Sequence, residues 1–108
     1  MAEAFIYDSI RTPRGKGRKD GSLHEVTSVA LSSCVLKEIE KRNDLDTKEL
    51  CDVIWGNVTQ VGEQGGCLAR SAVLHANWDE STPGLSVNRF CASGLEAVNL
   101  AANQTKGN

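Results

Sequence analysis

Short apolar segments that favour β-structure alternate with longer helix-prone runs along nearly the whole chain of 108 residues. Residues 5–10, 53–58 and 85–88 are short and rich in β-branched or aromatic side chains, which is typical of strands. Each of them is followed, after a loop, by a helix-prone run. Strands that alternate with helices indicate an α/β fold, in which helices pack on a mostly parallel sheet. The predicted order is strand–helix–strand–helix–strand–helix.

The first predicted helix starts at a capping-box pattern. Glu25 follows Ser22 by three residues, a spacing at which each side chain can bond an N–H at a helix start. The run 26–42 that follows has no glycine or proline, which favours a helix of about four turns. Asp46 offers a second cap, for a single turn. Two further helices are predicted over residues 68–76 and 91–106, the last with Gly107 as its stop.

Composition excludes several classes of protein. Twelve Lys and Arg against fourteen Asp and Glu give a formal net charge of −2, which argues against a basic nucleic-acid module. No apolar run approaches the roughly 18 residues of a membrane span. The first eight residues also lack the basic and apolar regions of a secretory signal. We therefore expect a cytoplasmic protein of one domain, with no nucleic-acid partner and no membrane span.

Four cysteines are spread widely and form no C-x-x-C pair, so we expect all of them to be reduced. Cys34 and Cys51 lie among apolar residues and are predicted to be in the core, and Cys67 lies at an ordinary helix entry. No Cys/His spacing matches a zinc site, and we expect no metal. His24 and His75 are interpreted as satisfied or solvent-facing side chains.

A basic loop separates the first strand from the first helix. It holds five cations within nine positions, at a place where phosphates bind in many α/β folds. Its glycines, at 15, 17 and 21, do not match the dinucleotide or P-loop spacing. Two interpretations stay open, a solvated loop and an anion-binding loop. The cations are Arg11, Arg14, Lys16, Arg18 and Lys19.

Cys91 is the strongest candidate for chemistry because it lies at a predicted strand-to-helix turn. Unpaired N–H groups and the partial positive charge of a helix N-terminus stabilise a thiolate there. The next three residues are small and leave room for a substrate, and first-turn amides can receive an oxyanion. These features predict a nucleophile for acyl transfer. The alternative is a buried structural cysteine, since the sequence itself reveals no base.

Four stretches together resemble the start of a thiolase, the family of acetyl-CoA acetyltransferases and 3-ketoacyl-CoA thiolases. The resemblance runs in order from Phe5 to Gly107, and the residues around Cys91 are its most specific part. Cys67-Leu68 stands where many relatives have Asn-Pro, and Ala92 where many have glycine. The four stretches are Arg-Thr-Pro at 11–13, Ile-Trp-Gly-Asn-Val at 54–58, residues 66–72 with Ala69-Arg70, and Val-Asn-Arg-Phe-Cys-Ala-Ser-Gly-Leu at 87–95.

The resemblance implies an acyltransferase with Cys91 as the acylated nucleophile. Such an enzyme passes an acyl group between CoA thioesters by ping-pong steps, in a Claisen condensation or in thiolytic cleavage of a 3-ketoacyl-CoA. Coenzyme A thioesters are then substrates, and no resident cofactor is expected. The family forms homodimers or homotetramers, and residues 85–88 match the strand that pairs across the dimer.

The resemblance also implies that residues 1–108 are a partial N-terminal domain, an incomplete piece of the layered thiolase fold. The histidine that activates the nucleophile, the second cysteine and the main CoA-binding loops of the family lie beyond this stretch. The segment alone is therefore expected to be inactive. Two alternatives remain, a catalytically silent fragment that acts as a scaffold for a partner, and an anion-binding module built on the loop 14–19.

Overall fold

The computed structural model describes residues 3–107, and the α/β class expected from the sequence is confirmed. Within that range no helix combines the length and the apolar character that crossing a membrane requires. Short 3₁₀ turns lie at Thr47–Glu49 and Gly62–Gln64. The main elements of the described range are α1 (Ser28–Asn43), β1 (Ile54–Gly56), α2 (Leu68–His75), β2 (Leu85–Val87) and α3 (Ser93–Gly107).

Strands β1 and β2 form a parallel pair, with Ile54 opposite Leu85 and Gly56 opposite Val87. Two further hydrogen bonds continue the ladder beyond the strand ends, from Leu85 N–H to the Val53 carbonyl (2.8 Å) and from Asn57 N–H to the Val87 carbonyl (2.9 Å). A parallel pair needs a crossover connection, which α2 supplies here. The chain then leaves β2 directly into the turn that precedes α3.

The core lies where α1 packs on α2 and both meet the strands. Ala69, Ala72 and Val73 on α2 are fully buried. Their small side chains let the helices approach closely, and the α1 side of the contact includes two buried serines, Ser32 and Ser33. The core cluster consists of Leu36, Val53, Ala69, Ala72, Val73, Ala76 and Trp78.

Helix α1 begins later than the capping box predicted. Its N-cap is Thr27, whose hydroxyl accepts a hydrogen bond from the Ala30 N–H (3.1 Å). Residues 22–25 form turns, closed in part by a bond from His24 N–H to the Gly21 carbonyl (3.1 Å). The prediction at Ser22 was wrong because a second hydroxyl residue lies closer to the helical run. The single-turn cap at Asp46 is confirmed, since its carboxylate accepts from the Lys48 N–H (3.2 Å).

The prediction of a strand at residues 5–10 was wrong. The segment makes no sheet pairing with any described residue, and the side chains of Phe5, Ile6 and Tyr7 are 66%, 81% and 91% exposed. A strand is held by its ladder, and β-prone side chains alone do not supply one. Polar contacts hold the segment to the end of α1 instead, through the Asp8 carboxylate.

The core placement of two cysteines was also wrong, because Cys34 and Cys51 are both exposed. Apolar residues surround much of α1, so the sequence did not reveal which side faces α2. The contact falls on Ser32, Ser33 and Leu36, and this turns Cys34 away from the core. All four cysteines are free thiols.

Candidate active site

Cys91 lies in the tight turn between β2 and α3 and is exposed to solvent. The turn comprises residues 88–92, so the helix begins two residues later than the sequence predicted. The alternative interpretation of Cys91, as a buried structural cysteine, does not fit its exposure to solvent. An exposed thiol just before a helix N-terminus is accessible to a substrate and close to the positive end of the helix.

The backbone immediately before Cys91 has an unusual conformation. Phe90 has φ of 50°, in the left-handed region that non-glycine residues rarely adopt. Its N–H donates to the side-chain oxygen of Asn88 (2.8 Å), while the Ala92 N–H donates to the Arg89 carbonyl (3.0 Å). Residues held in such conformations cost about 1–3 kcal/mol and persist only where their surroundings fix them. The turn that carries Cys91 is therefore maintained by specific contacts.

Ser93 supplies the main side-chain contact of this turn. Its hydroxyl accepts a hydrogen bond from the Arg89 N–H (2.8 Å) and donates one to the Phe90 carbonyl (2.7 Å). The residue is only 4% exposed. An ion pair from Arg89 Nε to Glu96 Oε2 (3.0 Å) adds a second tie between the turn and the first part of α3.

Strand β1 fixes the position of the turn relative to the sheet. A Cβ atom built on Gly56 would lie 2.5 Å from the Ser93 carbonyl carbon and 2.6 Å from the Gly94 nitrogen. Only glycine permits this close approach of two backbones. The start of α3, and with it Cys91, is thus seated directly on the end of β1.

The surroundings of Cys91 suit attack on a carbonyl group. Among residues 3–107, no hydrogen-bond acceptor is found for the backbone N–H groups of Cys91 and Gly94. A Cβ built on Gly94 would meet no atom within 4 Å, so there is open space beside the turn. An exposed thiol, backbone N–H groups with no acceptor among the described residues and open space are features that an acyl-transfer site needs.

The structure does not bring the other candidates of the sequence to this turn. His75 bonds through Nδ1 to the Ser33 hydroxyl on α1 (2.9 Å), and the Cys67 sulfur donates to the Gly84 carbonyl (3.4 Å). Within the described part of the chain, no hydrogen bond joins the Cys91 side chain to a basic group, and no three His, Cys, Asp or Glu side chains are grouped as metal ligands. Among residues 3–107, the candidate site therefore contains an exposed thiol with no base bonded to it.

The basic loop is exposed at Arg14, Lys16, Arg18 and Lys19, and Arg18 pairs with Asp20 through Nε at 3.5 Å. The anion-binding interpretation stays a hypothesis.

Sequence reasoning missed the contributions of Gly56, Phe90 and Ser93. Small residues around Cys91 were interpreted as room for a substrate, whereas Ser93 is buried and bonded. A glycine within a predicted strand, as at Gly56, indicates that another backbone approaches closely there. The positive φ of Phe90 has no signal in the residue type.

The fold is of the α/β class, and its candidate site is a turn after a parallel strand with an exposed cysteine before a helix. The family with the description "Thiolase, N-terminal domain" matches residues 4–107. The chain belongs to the thiolase family, as the resemblance indicated.

Individual bacterial relatives carry thiolase names. The chain is 44% identical over 103 residues to a 3-ketoacyl-CoA thiolase of Colwellia psychrerythraea, covering 94% of this chain and 26% of the relative. It is 43% identical over 107 residues to the 3-oxoadipyl-CoA/3-oxo-5,6-dehydrosuberyl-CoA thiolase of Escherichia coli, covering 98% and 26%. A Psychrobacter 3-ketoacyl-CoA thiolase is 38% identical over 106 residues, covering 98% and 27%. The chain thus spans about a quarter of the length of these relatives.

Proposed function

We propose that this chain is the N-terminal part of a thiolase, an acyltransferase that moves acyl groups between CoA thioesters through an acyl-cysteine at Cys91. The observation that carries the proposal is the location of Cys91, exposed on a fixed turn between β2 and α3. Family membership and the thiolase names of the relatives support the reaction class.

The first half-reaction follows from the chemistry of a thiolate. The Cys91 sulfur attacks the thioester carbonyl carbon of an acyl-CoA, and the carbonyl oxygen becomes an oxyanion near the Cys91 and Gly94 amides, which have no acceptor among residues 3–107. Collapse of this intermediate breaks the bond to the CoA sulfur. Coenzyme A leaves and takes up the proton that Cys91 lost, so an acyl-cysteine remains.

The second half-reaction consumes the acyl-cysteine. In the synthetic direction, a base takes a proton from the carbon next to the carbonyl of a second acyl-CoA, and that carbon attacks the acyl group on Cys91. The bond between the acyl carbon and the Cys91 sulfur breaks, a 3-ketoacyl-CoA is released, and the Cys91 thiolate takes up the proton. Thiolytic cleavage is the reverse, with free CoA accepting the acyl group from Cys91. The names of the relatives favour 3-ketoacyl-CoA thioesters as the substrate class, and hence a role in fatty-acid or related acyl-CoA metabolism.

The remaining machinery belongs, on this proposal, to sequence outside residues 1–108. It includes the activating histidine, the second cysteine and the principal CoA-binding loops, which complete the layered fold. We propose a homodimer or homotetramer, with the outer edge of β2 as the pairing strand, and a cytoplasmic location. Substrate CoA thioesters are the small-molecule partners, with no resident cofactor.

Replacing Cys91 tests the proposed function. Cys91→Ala in the full-length protein removes the sulfur that carries the acyl group on this proposal, so turnover of 3-ketoacyl-CoA and CoA should fall by at least about a thousandfold. Binding of CoA should be retained. Cys34→Ala is the matched control, since Cys34 is also an exposed thiol but lies on α1, and it should keep turnover close to the parent value.

Near-normal turnover of the Cys91→Ala protein would overturn the proposal. The silent-scaffold alternative makes a separate prediction, that Cys91 is alkylated by iodoacetamide no faster than Cys34. The proposed function requires Cys91 to react faster than Cys34 in the same molecule.

A further inference from the structure

Ser93 is the first residue of α3, but its hydroxyl bonds no N–H group of the helix. A capping hydroxyl accepts from an N–H two or three residues further along the helix. The Ser93 hydroxyl instead reaches backwards and bonds the Arg89 N–H (2.8 Å) and the Phe90 carbonyl (2.7 Å). It therefore connects the residues immediately before Cys91 to the first residue of α3.

We propose that Ser93 is a positioning residue that holds the Cys91 turn in its reactive conformation, an inference that rests on the proposed role of Cys91. Phe90 occupies a left-handed conformation, with φ of 50°. Such a residue returns to negative φ unless neighbouring contacts prevent it. The Ser93 hydroxyl bonds the peptide group that precedes Arg89 and the one that follows Phe90, so it bridges the two residues and opposes that rotation.

The burial of Ser93 makes this contact rigid. The side chain is 4% exposed, and Gly56 on β1 lies against its backbone at a distance that admits no Cβ atom. Removing the hydroxyl leaves the Arg89 N–H without its hydrogen-bond partner, while Phe90 still accepts from the Ser93 N–H (3.1 Å). The helix start therefore survives, and the bonds from the Phe90 N–H to Asn88 and from the Ala92 N–H to Arg89 remain, but the turn loses one restraint on rotation at Phe90. The sulfur of Cys91 then moves relative to the free amides.

Ser93→Ala in the full-length protein measures this effect. The readout is the single-turnover rate at which acetyl-CoA acetylates Cys91. Because a displacement of about 1 Å at a reacting group can cost about a hundredfold in rate, we expect a loss of that order. The apparent binding constant for acetyl-CoA should change far less, since Ser93 is buried.

Ser33→Ala is the matched control. Ser33 is 3% exposed, and its hydroxyl contacts two partners, the Ala30 carbonyl (3.3 Å) and His75 Nδ1 (2.9 Å). The substitution therefore removes a comparable buried hydroxyl at a location on α1. Because Ser33→Ala also removes hydrogen bonds of a buried hydroxyl, it should lower thermal stability to a similar extent as Ser93→Ala. The acetylation rate of Cys91 should nevertheless stay within about twofold of the parent rate.

A second variant separates positioning from simple destabilisation. Glycine adopts positive φ without strain, so Phe90→Gly removes the need for the Ser93 contact. The double variant Ser93→Ala with Phe90→Gly should be acetylated at Cys91 at least about tenfold faster than Ser93→Ala alone. Equal acetylation rates for Ser93→Ala and Ser33→Ala, or no recovery in the double variant, would overturn the positioning role.

If Cys91 is not the acylated residue, these experiments give a different result. In that case the parent protein itself does not acetylate Cys91. Alkylation of Cys91 by iodoacetamide, compared with Cys34 in the same molecule, then tests the positioning role without acyl-CoA. Ser93→Ala should slow alkylation of Cys91 and leave that of Cys34 unchanged, and the double variant should recover it. Unchanged alkylation of Cys91 in Ser93→Ala would contradict the inference.

Discussion

At Gly56 the end of strand β1 lies against the first residues of helix α3. The location of Cys91 follows from this contact together with the hydroxyl of Ser93 and the left-handed backbone of Phe90. None of these three residues carries reactive chemistry. At the scale of single residues, the position of Cys91 depends on the small size of Gly56, the hydrogen bonds of Ser93 and the backbone conformation of Phe90.

A methyl group at position 56 should disturb both stability and reactivity. In Gly56→Ala the new Cβ atom overlaps the backbone of Ser93 and Gly94, so the two elements must separate. Overpacking of this kind typically costs about 1–3 kcal/mol. Urea denaturation should show that loss, and acetylation of Cys91 should slow as well.

Gly17→Ala provides the comparison, because a Cβ atom there would meet nothing within 4 Å. It should leave the midpoint of urea denaturation nearly unchanged. Equal midpoints for Gly56→Ala and the parent protein would show that β1 does not seat the start of α3.

Between elements, Asp8 connects the extended segment 5–10 to the C-terminal end of α1. Its carboxylate accepts from the Asn43 side-chain amide (2.8 Å) and pairs with Arg42 (3.3 Å). The Asn43 bond, then the Ser9 N–H and the Arg42 charge, lower the pKa of Asp8 below its ordinary value of 3.8. These contacts hold a segment whose apolar side chains are otherwise largely exposed.

The lowered pKa of Asp8 predicts a pH-dependent contribution to stability. The folded state binds this proton more weakly than the unfolded state, so the contribution is complete above about pH 4 and is lost as the pH falls through the folded-state pKa. Asp8→Asn should therefore be less stable than the parent protein at pH 7. The difference in free energy of unfolding should shrink below pH 4. A difference that stays constant down to pH 2 would contradict the assignment.

The sequence predicted the elements best where a local pattern was sufficient. Helix α2, the cap at Asp46 and strands β1 and β2 depend on short-range features, and the structure contains all of them. The strand at residues 5–10 depends on a hydrogen-bonding neighbour, which residue types do not report. The side of α1 that faces α2 depends on shape, so the exposure of Cys34 was not predictable from hydrophobicity.

For the candidate site, the sequence located Cys91 and its strand-to-helix turn but not how the turn is held. The turn follows from a local pattern of small residues after a strand, and the role of Cys91 as nucleophile stays a prediction. The backward bonds of Ser93 and the close approach of Gly56 depend on how two separate elements meet. Such contacts become visible only when the chain is folded.

At the scale of the whole molecule, the described residues contain an exposed thiol at Cys91 but no base bonded to it, and the chain spans about a quarter of the length of its relatives. These facts agree with a site completed by further sequence, as the proposed thiolase requires. They also explain why the isolated segment is expected to be inactive. The central claim is therefore that Cys91 is the residue acylated in the full-length enzyme.

Mapping the acetyl group tests this claim most directly. The full-length protein is exposed briefly to acetyl-CoA and quenched in acid, and the modified residue is identified by peptide mass spectrometry. We expect one acetyl group on Cys91 and none on Cys34, Cys51 or Cys67, because only Cys91 lies on the turn before α3. An acetyl group on another cysteine, or a protein that turns over acyl-CoA without acetylating Cys91, would contradict the account.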